Sequence, residues 1–202
     1  MTPQDVSERY NVSRESLARL RNYADLVAKW NQKINLVAPG SIGDLWHRHI
    51  ADSLQLQSYL PAGCKQIVDL GSGAGFPGLV LAITTGIDTV LVESNAKKAA
   101  FLAEVIRRTN APARVLHGRI EALTVDLSAD VVTARAVAPL PKLIALAYPL
   151  LSKGAMGLFL KGQDVEAELT ESTKYWKMKV QTFTSATDPK GAVLVVEEVE
   201  RV

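Results

Sequence analysis

Apolar positions recur along the chain with two different periods, and the change between them divides the sequence. In the interval 13–31, Leu17, Leu20, Ala24, Val27 and Trp30 lie three or four apart, while Arg14, Arg19, Arg21, Asp25 and Lys29 fall mostly off that stripe. This spacing predicts an amphipathic helix, with Ser13 as its N-cap. Residues 1–12 have no comparable apolar stripe, so this helix is expected to be the first coherent element. Pro39 and Gly40 predict a loop over 35–40. Ser41, with Asp44 three residues on, then reads as the cap of a second helix carrying Trp46, His47, Arg48, His49, Ile50, Asp52 and Ser53.

From Lys65 onward the pattern changes to short apolar runs alternating with helix-like segments. Strands are expected over 67–70, 89–92, 114–116, 130–133 and 157–160, with helices over 78–85, 95–110, 141–150 and near 164–173. This rhythm implies right-handed parallel crossovers with helices on both faces of a sheet. Two further runs, 177–183 and 193–198, are separated by Asp188-Pro189-Lys190-Gly191, a turn suited to an antiparallel pair. The expected fold is α/β: a seven-stranded, mostly parallel sheet closed by an antiparallel C-terminal pair. A helical extension over 1–62 would pack on a ligand-binding domain over 63–202.

Composition narrows this only modestly. The 202 residues suit one domain plus a short extension, and 48% hydrophobic with 22% charged content reads as a soluble globular chain. A net charge of +2 permits an anionic partner without requiring one. Cys64 is the only cysteine, so an internal disulfide and a Cys-rich metal site are excluded, and a cytoplasmic setting is expected. No run reaches membrane-spanning length, and nothing suggests an obligate dimer seam. His47 and His49 lack the HExxH spacing of a zinc helix, and no metal is expected.

The chemistry concentrates where the first strand ends, at Asp69-Leu70-Gly71-Ser72-Gly73-Ala74-Gly75-Phe76-Pro77-Gly78. Glycines there allow close approach to main-chain N–H groups, and a helix start favours an anion. One register, Gly73 to Gly78, satisfies the dinucleotide pattern GxGxxG, but Gly71 and Ser72 would intervene between strand and fingerprint. The other register is an acid at the strand end, Asp69, followed by Gly71, Gly73 and Gly75. It resembles the first motif of the class I S-adenosylmethionine (SAM) methyltransferases, and the antiparallel tail favours this Rossmann-like register over a nicotinamide domain.

In such a sheet, ligands lie beyond the carboxyl ends of the strands, where Asp69 to Gly75, Glu93, Ile120, Glu121, Arg135 and Lys161 are expected. With SAM as ligand, the glycine turn would hold its methionine portion. Glu93 would accept from the ribose hydroxyls, and Ile120 would cover the adenine while Glu121 reads its edge. Arg135 and Lys161, two cations at adjacent strand ends, call for an anion: the SAM carboxylate, an RNA phosphate, or a protein carboxylate. His49 shares a helix face with Asp52, as does Arg48, so these groups either lock the helix to the main domain or face a ligand mouth.

Asn31 with Lys33 to Val37, His47 to Leu54, Asp69 to Gly78, Ser94 to Lys98 with Phe101-Leu102, Gly118 to Glu121, Ala134-Arg135-Ala136 and Leu160-Lys161-Gly162 together resemble the RsmG (GidB) family. That resemblance implies a bacterial enzyme methylating guanine N7 in 16S ribosomal RNA of the small subunit. It implies SAM contacts at Gly71, Phe76, Ile120, Glu121 and Arg135. The family acid after the second strand is often Asp, and Glu93 is one methylene longer. His47, Arg48, His49, Lys161 and Arg135 are the expected RNA-facing rim. A SAM enzyme acting on a small molecule, and a nicotinamide-dinucleotide protein, remain as alternatives.

Overall fold

The structure, a computed structural model, describes residues 1–202. Seven strands form one sheet in the order β3-β2-β1-β4-β5-β7-β6. They are β1 (Gln66–Leu70), β2 (Asp88–Glu93), β3 (Ala113–His117), β4 (Val131–Arg135), β5 (Met156–Lys161), β6 (Trp176–Thr184) and β7 (Ala192–Arg201). The first five run parallel, with Val68 opposite both Val90 and Val132. β7 is antiparallel to both β5 and β6. β1 therefore lies between β2 and β4, and the strand order reverses there.

Alternation within the buried strands assigns each side chain to one of two apolar layers. On one face, α4 (Gly78–Thr85) and α5 (Ala96–Thr109) pack with Leu91 and with α1 (Pro3–Tyr10) and α2 (Arg14–Asn31). On the other, Val68, Leu70, Val90 and Val132 pack with the single turn α6 (Ile120–Leu123), α7 (Leu140–Leu151), Trp176 and Leu194. A smaller group joins Leu56 to Ile67, Leu81, Val131 and Leu158. Leu20, Tyr23, Val27, Phe101 and Leu79 are all fully buried in the first layer, each such side chain contributing ~1.5–3 kcal/mol.

The helix over 14–31 has the predicted Ser13 cap, whose side chain accepts from the Ser16 amide. It is not the first element. α1 precedes it, set by a reciprocal cap between Thr2 and Asp5, and it buries only Val6, which left no apolar stripe to read. The expected second helix forms as one right-handed helical run whose hydrogen-bond register changes along it: 3₁₀ over Pro39–Asp44, π over Trp46–Ala51, α3 (Asp52–Leu54) and 3₁₀ again over Gln55–Tyr59, with helical backbone at the junctions Leu45, Asp52 and Gln55. Ser41 does not cap it. Its hydroxyl donates to the Ala38 carbonyl, and its oxygen faces His49.

Candidate active site

The turn after β1 is built around two close approaches. Gly71 has φ +62°, and a Cβ there would lie 2.9 Å from Cγ2 of Val137 in the β4–α7 loop. Gly78 opens α4 directly against Asp69, where a Cβ would come within 2.7 Å of the Asp69 Cβ. Asp69 is fully buried beneath this turn. Thr133 Oγ1 donates to its Oδ1 at 2.6 Å, and Oδ2 has no hydrogen-bond partner. Burial pushes the Asp69 carboxyl up to about 6, against the opposing pull of Thr133, Ser72, the Gly78 amide and the Arg135 cation. The anion at this helix start is thus the chain's own side chain.

Several turn amides are also bonded internally. Ser72 N–H donates to the Val92 carbonyl at 3.0 Å and Gly75 N–H to that of Ser72 at 2.6 Å. Gly73 N–H donates to Glu93 Oε2 at 2.8 Å, while Glu93 Oε1 accepts from Asn95 N–H at 2.7 Å. Glu93 therefore ties the turn to the start of α5, and each of its oxygens retains acceptor capacity.

Arg135, at the end of β4, is gripped by this irregular helical segment. Its Nη1 donates to Asp52 Oδ2 at 2.9 Å and to the Arg48 carbonyl at 3.0 Å, and its Nη2 meets His49 Nδ1. Asp52 Oδ1 accepts from Gln55 at 2.8 Å and from Thr187 at 2.7 Å. The Gln55 Oε1 accepts from the Ala186 amide at 2.8 Å. Lys161 is paired too, with Glu168 of α8 (Val165–Ser172) at 2.6 Å, and it donates to the Ala138 carbonyl at 3.1 Å. Glu168 also accepts from the Leu140 amide at 2.6 Å, fixing the start of α7. Of the counter-ions considered for the two cations, the structure supplies protein carboxylates, and neither is Asp69.

His49 lines the same crevice as His47 and Arg48 with only 7% of its surface exposed. Burial and the Arg135 and Arg48 cations depress its pKa to about 3. Its ring stacks on Phe76 with centroids 5.0 Å apart, and Phe76 stacks on Tyr23 at 5.2 Å. Tyr23 donates to the Ala74 carbonyl inside the glycine turn. Phe76 is 5% exposed between these two rings, with the Arg135 guanidinium 5.5 Å from its centroid.

Two crevices open along the strand ends. Gly71, Ile120 and Glu121 meet in one of about 280 Å³, together with Val92, Ser94, Arg119, Val137, Ala138, Lys142 and Leu146. His47, Arg48, His49, Arg135 and Lys161 line a second of about 570 Å³, where Asp44, Asp52 and Asp188 interleave with them. His47 lies 3.4 Å from Asp44. Sequence reasoning missed Tyr23, Gln55, Lys142, Glu168, Ser185 and Thr187. Only Tyr23, three residues after Leu20 on the apolar stripe, carried a local signal.

Residues 16–192, running from α2 into β7, match the GidB family, described as rRNA small subunit methyltransferase G. The chain belongs to the GidB family. Curated members include the ribosomal RNA small subunit methyltransferase G of Paramagnetospirillum magneticum, 51% identical over 201 residues spanning 100% of this chain and 98% of that protein. The protein of the same name from Rhodospirillum rubrum is 48% identical over 202 residues, with 100% of both covered. Among solved structures, the O-methyltransferase from Bacillus cereus in complex with SAH aligns with a TM-score of 0.63 at 16% identity, covering 96% of each chain. M. jannaschii TYW2 in complex with AdoMet aligns at 0.58 and 15% identity, covering 85% of this chain and 80% of that one. These distant likenesses show that the GidB chain has the class I methyltransferase fold.

Proposed function

We propose that the protein transfers a methyl group from SAM to N7 of a guanine in 16S ribosomal RNA, acting as a monomer on the small subunit in the bacterial cytoplasm. The observation that carries this reading is the crevice lined by Gly71, Ile120 and Glu121 at the point where strand order reverses, in a chain of the GidB family. In this reading residues 1–62 form an extension on a methyltransferase domain spanning 63–202.

The side chains fit such a donor. Ile120, Val137 and Leu146 give the smaller crevice an apolar wall for adenine, with Glu121 at its edge. Glu93 keeps lone pairs for a ribose diol, and Arg135 retains N–H donors for the methionine carboxylate. Gly71 keeps the backbone within reach of the ligand. Asp69, Gly73, Gly75 and Phe76 act beneath it by shaping the turn. When bound, SAM supplies an electrophilic methyl group on its sulfonium. Guanine N7 offers an in-plane lone pair and need not lose a proton first, so the residues contribute chiefly by alignment. His47, Arg48, His49, Arg135 and Lys161, which line the larger crevice, form the RNA-facing rim. Phosphate contacts there make binding weaken with salt, and the target base must leave its stack to enter.

The test is transfer of labelled methyl from SAM to small-subunit RNA, followed by N7-specific chemical cleavage to map the product. Label at guanine N7 supports the reading. Label only on small molecules, or binding of a nicotinamide dinucleotide in place of SAM, overturns it.

A further inference from the structure

We propose that His49 is a positioning residue for Arg135, holding the guanidinium toward the larger crevice, which both residues line, through a neutral imidazole whose only ring proton is on Nε2. The inference rests on the reading of Arg135 as a SAM contact and adds the group that orients it.

The tautomer follows from hydrogen-bond accounting. Ser41 Oγ gives its proton to the Ala38 carbonyl at 2.8 Å, so it can only accept from His49 Nε2, also at 2.8 Å. Nε2 therefore carries the hydrogen, and Nδ1 is left as a bare lone pair. That lone pair faces Nη2 of Arg135, a group that can only donate. A charged imidazole would set donor against donor and cation against cation here. The depressed pKa and the burial of His49 agree with a neutral ring.

The bonds to Asp52, Arg48 and His49 take three of the five guanidinium N–H groups, two on Nη1 and one on Nη2. The Nε–H and one Nη2–H remain, two donors of the kind a carboxylate or phosphate accepts. Without Nδ1 the guanidinium could turn about its remaining contacts at Nη1, and those two donors would lose their aim. The ring is itself fixed by its stack on Phe76 and by Ser41, so the segment over 39–59 sets the direction of a group that belongs to β4.

Four variants test this by calorimetric titration with SAM: His49→Phe, His49→Asn, Ser41→Ala and Arg135→Ala. Phe keeps a ring on Phe76 without the acceptor and should weaken SAM roughly tenfold, the size of one lost charge-assisted hydrogen bond. Asn offers its carbonyl oxygen in place of Nδ1 and should recover most of that loss. Ser41→Ala, a small change if the chain fails to fold with Phe, should free the tautomer and weaken SAM in the same direction. In the folded parent, ¹⁵N shifts of the His49 ring should report the Nε2–H form from pH 5 to 8. If Arg135→Ala leaves SAM affinity unchanged, the reading of Arg135 falls and this inference with it. If Arg135→Ala weakens SAM while His49→Phe and Ser41→Ala do not, or if the ring carries its proton on Nδ1, only this inference falls.

Discussion

Gly71 joins a conformational demand to a steric one, since its left-handed backbone sits under Val137. Gly71→Val should therefore reduce SAM affinity by more than tenfold through backbone strain and a displaced β4–α7 loop, measured by titration of variant that still shows parental circular dichroism. Asp69 is the other demanding residue. Its folded pKa, about 6, is above the ordinary carboxyl value of 3.8. Between these values the folded chain holds a proton that the unfolded chain has lost, so this site favours folding below pH 3.8 and loses that advantage as pH rises through 6. The loss amounts to ~3 kcal/mol at most. Urea unfolding from pH 4 to 7 should show this downward contribution in the parent, and Asp69→Asn should remove it. Both residues were legible in the sequence as an acid and a glycine burst after an apolar run. Their different fates, one a ligand-facing backbone and one a buried support, depend on Thr133 and Val137, more than sixty residues away.

The elements were legible where burial made them uniform. Ile67–Leu70, Val90–Val92 and Leu158–Leu160 are buried apolar runs broken only by Asp69, and strands form at all three. The segment over 39–59 was legible as helical but not in its changes of hydrogen-bond register, where serine and histidine side chains bond to one another and to Arg135. Lys161 and Glu168 show the same difficulty: one reads as a strand-end cation and the other as a helix-surface acid, yet together they fix the start of α7. Lys161→Met should leave Glu168 half-buried without its cation and destabilise the fold by ~1–3 kcal/mol in urea. It should also loosen the loop over 136–139, seen as a raised KM for SAM with a smaller change in kcat.

At the scale of the molecule, the N-terminal helices and the sheet share one apolar layer, in which Leu20, Tyr23 and Val27 pack with Leu79 and Phe101. The division at residue 62 is therefore not a boundary of stability. Thermal unfolding should show a single transition by both circular dichroism and tyrosine fluorescence, and two separated melts would contradict the shared core. The whole chain carries a net charge of only +2, and acids interleave with bases along the larger crevice, so RNA affinity should fall with added salt less steeply than for a uniformly basic surface.

Gln55 reaches across the molecule to the stretch Ser185-Ala186-Thr187, accepting from the Ala186 amide and donating to Ser185. By composition this stretch and the Asp188-Pro189-Lys190-Gly191 that follows look like an ordinary hairpin tip, open to proteases and to deuterium. The Gln55 clasp should instead make the Ala186 amide exchange slowly, and limited digestion should spare this tip until the clasp is undone by Gln55→Ala.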